Sequence, residues 1–183
     1  EINLGFSDVH RDGGFVCWDC HGTQDLHGDG NEYANMFEEG AIDASCDNAG
    51  CHNNLPGSHA SNDPHDGALH CSACHAQTVI SCYNCHFETM VNDHVKKFFG
   101  PPPRSGFKFL VNRDGKVHTA SFQSAVYEGQ SFYVIAPYTS HAVVREVVCD
   151  DCHDSAALNE YNETGEINVA RWDDETSTLL GPT

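Results

Sequence analysis

The sequence predicts a mostly irregular chain with short helices and one small antiparallel β meander, at about residues 106–136, packed around bound groups rather than around a core of its own side chains. Three observations lead there. The ten cysteines fall into five pairs, and each pair is followed directly by a histidine. The 183 residues leave about 37 for each such unit, too few to enclose five sites in separate protein cores. Sixteen glycines and seven prolines, with runs such as "HGDGN" and "NNLPGSHASNDPHDG", punctuate the chain with turns.

Four of the units are Cys-x-x-Cys-His: Cys17/Cys20/His21 (site one), Cys71/Cys74/His75 (site three), Cys82/Cys85/His86 (site four) and Cys149/Cys152/His153 (site five). The remaining one, Cys46/Cys51/His52 (site two), has four residues between its cysteines. A Cys-x-x-Cys pair alone is compatible with zinc, thiol–disulfide exchange or haem; the histidine narrows the choice. Histidine is 13 of 183 residues, so five in succession at that position by chance is on the order of one in a million. Two thiols that add to the two vinyl groups of one haem, and an imidazole that ligates its iron, must be chain neighbours. This spacing makes them so in one turn of chain. A disulfide scaffold gives no reason for the histidines. Zinc needs four ligands at each site and leaves the regularity unexplained. Iron–sulfur clusters take cysteines in fours, which ten do not supply evenly. The expected cofactors are therefore five covalent haems c, held by Cys17, Cys20, Cys46, Cys51, Cys71, Cys74, Cys82, Cys85, Cys149 and Cys152. The proximal iron ligands are His21, His52, His75, His86 and His153, and the fold is haem-dominated.

Eight further histidines are enough to fill the opposite axial positions, against only two methionines, Met36 and Met90. His10, His65 and His141 stand seven, six and eight residues ahead of Cys17, Cys71 and Cys149, while His27 and His59 follow His21 and His52 by six and seven. These five are the preferred distal ligands. His70, abutting Cys71, His94, beside Lys96 and Lys97 on an expected exposed helix, and His118, in an expected strand, rank after them. Iron with two histidines has no open position, which suits electron transfer and disfavours substrate chemistry, so no catalytic residue is assigned and no enzyme is expected. His10 lies on an N-terminal segment with few residues to pin it. It could reach the iron held by His153 in another copy, or fold back onto a haem of its own chain. His75 and Cys82 are seven residues apart, within about 25 Å even when extended, so the groups at sites three and four are expected close together and near parallel.

Along the chain, residues 1–100 carry sites one to four, residues 101–147 form a cysteine-free β-rich segment, and residues 148–183 carry site five and an acidic tail, all within one unit spanning 1–183. "YANMFEEGA", around Met36, reads as a helical turn or two, and "GPPPRSG" at 100–106 as a break. Alternating Phe107, Phe109 and Val111, a turn at "RDG", Val117, a turn at "EGQ" and then "SFYVI" give the meander. Its role is to pack haem faces or to offer an edge strand. Ile167–Ala170 reads as a short strand, and Asn162 opens an "NET" glycosylation sequon.

The net charge of −18 makes nucleic acid a poor partner, and none is expected; it favours basic protein patches, metal or mineral acceptors, or further copies of the chain with charge neutralised at the contact. No apolar run is long enough for a membrane-spanning helix. Covalent haem attachment takes place outside the cytoplasmic membrane, so a signal peptide is expected to have been removed and Glu1 to lie near the mature terminus, with the protein extracellular or at the cell surface; the alternative is the periplasm.

The stretches "HASNDPHDGALHCSACHAQTVISCYNCH" and "YVIAPYTSHAVVREVVCDDCH" resemble the multihaem c-type cytochromes of anaerobic metal- and sulfur-respiring prokaryotes. The resemblance implies a pentahaem cytochrome of anaerobic respiration. Some members of that group polymerise outside the cell into conductive filaments, or nanowires, and others are monomeric periplasmic shuttles that feed a reductase. The filament is the preferred expectation and the shuttle the alternative. A pentahaem reductase would need several hundred residues and an open iron, and comes last.

Overall fold

The structure is a computed structural model. It describes residues 5–55, 59, 63–95, 108–145, 147–166, 171–173, 175 and 178–180, with the backbone alone at 83–89, 131, 171–173 and 178–180. The chain forms two compact units, one of Val9–Gly67 and one of Glu1–Asp8 with Ala68–Thr183.

The Val9–Gly67 unit consists of three short helices, α1 (Val9–Asp12), α2 (Cys17–Cys20) and α3 (Thr23–His27), followed by turns. Glycine stops α3: Gly28 adopts φ 78° while its N–H bonds to the Gln24 carbonyl. "YANMFEEGA" forms a run of turns rather than a helix, because the Glu38 carboxylate takes the Ala34 N–H and the Asn35 side chain takes the Phe37 N–H. Those side-chain bonds compete with the helical ladder. No described residue of this unit is buried.

The second unit is built on a four-stranded sheet. Strands β2 (Phe109–Arg113), β3 (Lys116–Tyr127) and β4 (Gln130–Pro137) form the expected antiparallel meander; residues 106 and 107 lie outside the described residues. Both hairpins use two-residue turns with positive φ at each position, Asp114 (53°) with Gly115 (82°) and Glu128 (48°) with Gly129 (72°). That conformation matches the right-handed twist of the flanking strands. An additional strand, β1 (Cys82–His86), runs parallel to β3. Helix α4 (Cys71–His75) precedes it and α5 (Phe87–Asn92) follows; His94 comes after α5 rather than on it. Helices α6 (Asp150–His153) and α7 (Ala156–Thr164) and a hairpin of β5 (Arg171–Asp173) with β6 (Thr178–Leu180) complete the chain. The strand expected at Ile167–Ala170 lies outside the described residues.

The core of this unit is small and rich in hydroxyls. Ala73, Ala76, Val79, Ala120, Phe122 and Ala142 are buried beside Thr78, Ser81, Thr119, Ser121, Ser124 and Ser140. Buried hydroxyls are tolerated when bonded. Thr119 Oγ1 donates to the Tyr138 carbonyl (2.7 Å), Ser121 Oγ donates to the Ile80 carbonyl (2.7 Å), and Ser81 Oγ accepts the Phe122 N–H (3.1 Å). These bonds fasten residues 80–81 along β3, and β1 continues from there.

Candidate haem sites

Three of the Cys–His units, sites one, two and five, share one closure. At site one the His21 N–H donates to the Cys17 carbonyl at 2.9 Å, and at site five the His153 N–H donates to the Cys149 carbonyl at 3.0 Å. Site two does the same with two more residues: the His52 N–H reaches the Cys46 carbonyl at 3.0 Å. The extra length is absorbed by a turn closed from Cys51 N–H to the Asn48 carbonyl (2.9 Å). Gly50, at φ 89°, supplies a conformation that other residues rarely adopt. The histidine therefore returns to the same place relative to the first cysteine.

Site four is built differently. Cys82–His86 is a strand, and successive strand residues alternate between faces, which would set positions three apart on opposite sides. A bulge intervenes: Cys82 pairs with Gln123 and Cys85 with Ala125. The two cysteine positions thus lie opposite β3 residues two apart, on one face of the ladder.

Site three is held from several directions. Helix α4 is capped by His70, whose Nδ1 lies 3.2 Å from the Ser72 nitrogen and 2.9 Å from Ser72 Oγ. The same Oγ accepts the Thr119 N–H at 3.3 Å, which docks the helix on β3. At the other end Lys108 Nζ donates to the carbonyls of Ala73 (2.6 Å), Cys74 (3.2 Å) and Ala76 (2.9 Å). A cation placed there satisfies orphan carbonyls and opposes the negative end of the helix. His75 Nδ1 lies 2.9 Å from the Val144 carbonyl oxygen, which can only accept, so Nδ1 carries the proton and Nε2 keeps its lone pair for a metal.

Site one achieves the same with a charge. Asp25 Oδ2 lies 3.2 Å from His21 Nδ1, and the Asp25 side chain is only 2% exposed. Its Oδ1 accepts the Asp43 N–H at 2.9 Å and its Oδ2 the Ala44 N–H at 3.2 Å. The Asp43 N–H, ahead of His21 and the Ala44 N–H, holds this carboxyl below its ordinary range despite the opposing effect of burial. The ionised carboxylate makes His21 Nδ1 the donor and puts the ring's lone pair on Nε2, the atom that would ligate a metal. Neither Asp25 nor Lys108 was singled out by the cysteine pattern. Asp25 was within reach of sequence reasoning, four residues beyond His21, whereas the carbonyls that Lys108 serves lie more than thirty positions away.

Among the candidate second ligands, His10 and His52 have ring centroids 5.9 Å apart, with planes at 68°. This sets a preferred distal candidate beside the histidine of site two, and both residues belong to the Val9–Gly67 unit. His70 and His118 are stacked at 4.2 Å and 19°, too close to hold one iron between them, and His70 Nδ1 is already engaged as acceptor of the Ser72 N–H. Burial, and after it Arg113 and Lys116, lowers the His118 pKa and favours the neutral, ligating form. His65 has its backbone N–H on Asp63 Oδ1 (2.9 Å) and its Nδ1 3.6 Å from the same oxygen. His27 ends α3, and His27, His59, His94 and His141 are exposed. The backbone of His86 pairs with Val126; its side chain is not among the described groups.

Among the described residues no three of histidine, cysteine, aspartate or glutamate converge as a protein-only metal site requires. The pairs remain separate, each with its own histidine. No family model, no curated protein and no solved structure matches the chain. Among the described residues no helix is long and apolar enough to cross a membrane.

Proposed function

We propose that the chain is an electron-transfer protein carrying five covalently bound c-type haems, each with two histidine ligands. The observation that carries this reading is the common closure of sites one, two and five, since the wide unit reproduces the geometry of the regular ones. The Nδ1 partners of His21 and His75 support it, because they turn Nε2 toward a metal. The cysteine pairs would tether each haem and the following histidine would ligate it; bound haem supplies one-electron iron chemistry. Mass spectrometry of the intact chain should show five haems that survive acid and organic extraction. A count of four, with Cys46 and Cys51 as a disulfide, removes site two; no covalent haem removes the reading.

The proposal extends to an extracellular polymer of identical chains that conducts electrons. Phe132, Tyr133, Val134 and Ile135 on β4 are each about half exposed, and residues 129–140 carry no charged side chain. On a chain of net charge −18, two copies repel least where charge is absent. Among the described residues β4 pairs with β3 alone, and an edge strand with apolar side chains is suited to receive another copy. Electron microscopy of material sheared from cells should show filaments, and Val134→Lys should abolish them while leaving the haem count at five. A dispersed wild-type monomer with five low-spin haems would turn the reading to a periplasmic shuttle.

A further inference from the structure

Sites one and three hold the proximal imidazole by the same atom but with different partners. His75 Nδ1 faces the Val144 carbonyl, a neutral acceptor 2.9 Å away. His21 Nδ1 faces a carboxylate 3.2 Å away whose side chain is only 2% exposed. The carboxylate cannot swing aside, because the Asp43 and Ala44 N–H groups hold both of its oxygens. Its side chain is nearly covered although the residue as a whole is only half-buried, so its charge is screened less than that of an exposed carboxylate.

We propose that Asp25 is a positioning residue that holds the iron site of His21 at a lower reduction potential than a neutral acceptor would, and so makes site one a harder site to reduce than site three. The inference rests on the haem reading above. A carboxylate accepting from Nδ1–H pulls the proton toward itself and raises the basicity of Nε2. A more basic Nε2, with a full negative charge behind it, stabilises the higher iron charge before the lower. The step concerned is the gain of one electron by the ferric site, drawn from an electrode or dithionite. No bond is broken and no proton is required.

The test compares the wild-type holoprotein with Asp25→Asn, whose side-chain oxygen can still accept the Asp43 N–H, and with Asp25→Glu. Mass spectra come first: five haems in the wild type uphold the haem reading whatever the potentials turn out to be, and fewer overturn that reading itself. In a spectroelectrochemical titration, one of the five one-electron steps in Asp25→Asn should move to higher potential. The expected size is at least a tenfold rise in that site's reduced-to-oxidised ratio at fixed potential, about 59 mV for one electron. Asp25→Glu should bring the step back toward its wild-type position. Unchanged potentials in Asp25→Asn, or a variant that lacks one haem altogether, would show a residue needed only for shape or attachment and would overturn the inference.

Discussion

The Val9–Gly67 unit and the sheet of the second unit solve the same problem in opposite ways. The sheet makes its own interior, with Phe122 and Val79 packed among alanines and bonded hydroxyls. In the Val9–Gly67 unit no described residue is buried, and Phe15, Trp18, Leu26 and Met36 are half exposed or more. Trp18, at 71% exposure, stands between the two cysteines of site one. Large apolar side chains in water carry a free-energy cost, so a segment of this composition is held by local turns, by the Asp25 bonds and by whatever its cysteines tether. Where the chain has strands it relies on packed side chains; where it has only paired cysteines and turns, the proposed haems would have to supply the interior.

The largest effect expected from this contrast comes from removing the tethers. With Cys17, Cys20, Cys46 and Cys51 replaced by alanine, amides of residues 9–55 should exchange hydrogen at rates close to those of an unstructured chain, while β3 stays protected. Equal protection of both regions would mean that the first unit has a protein interior after all. Next, Phe122→Ala should destabilise the sheet by about 3–5 kcal/mol, measured as a shift in the denaturation midpoint of the second unit, and leave attachment at site one intact. Loss of the haem at site one in this variant would break the comparison. Lys108→Met should cost about 1.5–3 kcal/mol by stranding the carbonyls of Ala73, Cys74 and Ala76, and should loosen site three more than any other site. If the haem reading holds and His10 serves the iron of His52, His10→Ala should change stability least but leave one iron high-spin and open to carbon monoxide. A fully low-spin variant would dissolve the His10–His52 pairing.

How much of this could be read in advance depended on how local each feature is. The meander was legible because its turn residues, Asp114–Gly115 and Glu128–Gly129, announce their conformation within two positions, and the strands alternate beside them. The cysteine units were legible for the same reason. The parallel pairing of Cys82–His86 with β3 was not, because it depends on hydroxyls some forty positions apart. The closeness of His70 and His118 was missed too, since the bond from the His70 N–H to the Val117 carbonyl brings together residues that ranked low when judged by spacing to a cysteine. Site two was the most informative case. Its spacing looked irregular on paper, yet its backbone closes like that of its neighbours.

That closure changes what counts as the motif. What sites one, two and five hold in common is a loop whose two ends meet, a first-cysteine carbonyl and a histidine N–H about 3 Å apart, and the number of residues inside the loop is free to vary as long as a turn can absorb them. A pattern that fixes two residues between the cysteines would pass over site two of this chain. One that asks whether the loop can close will find it, and will also say where an engineer could insert a label without disturbing the ligand.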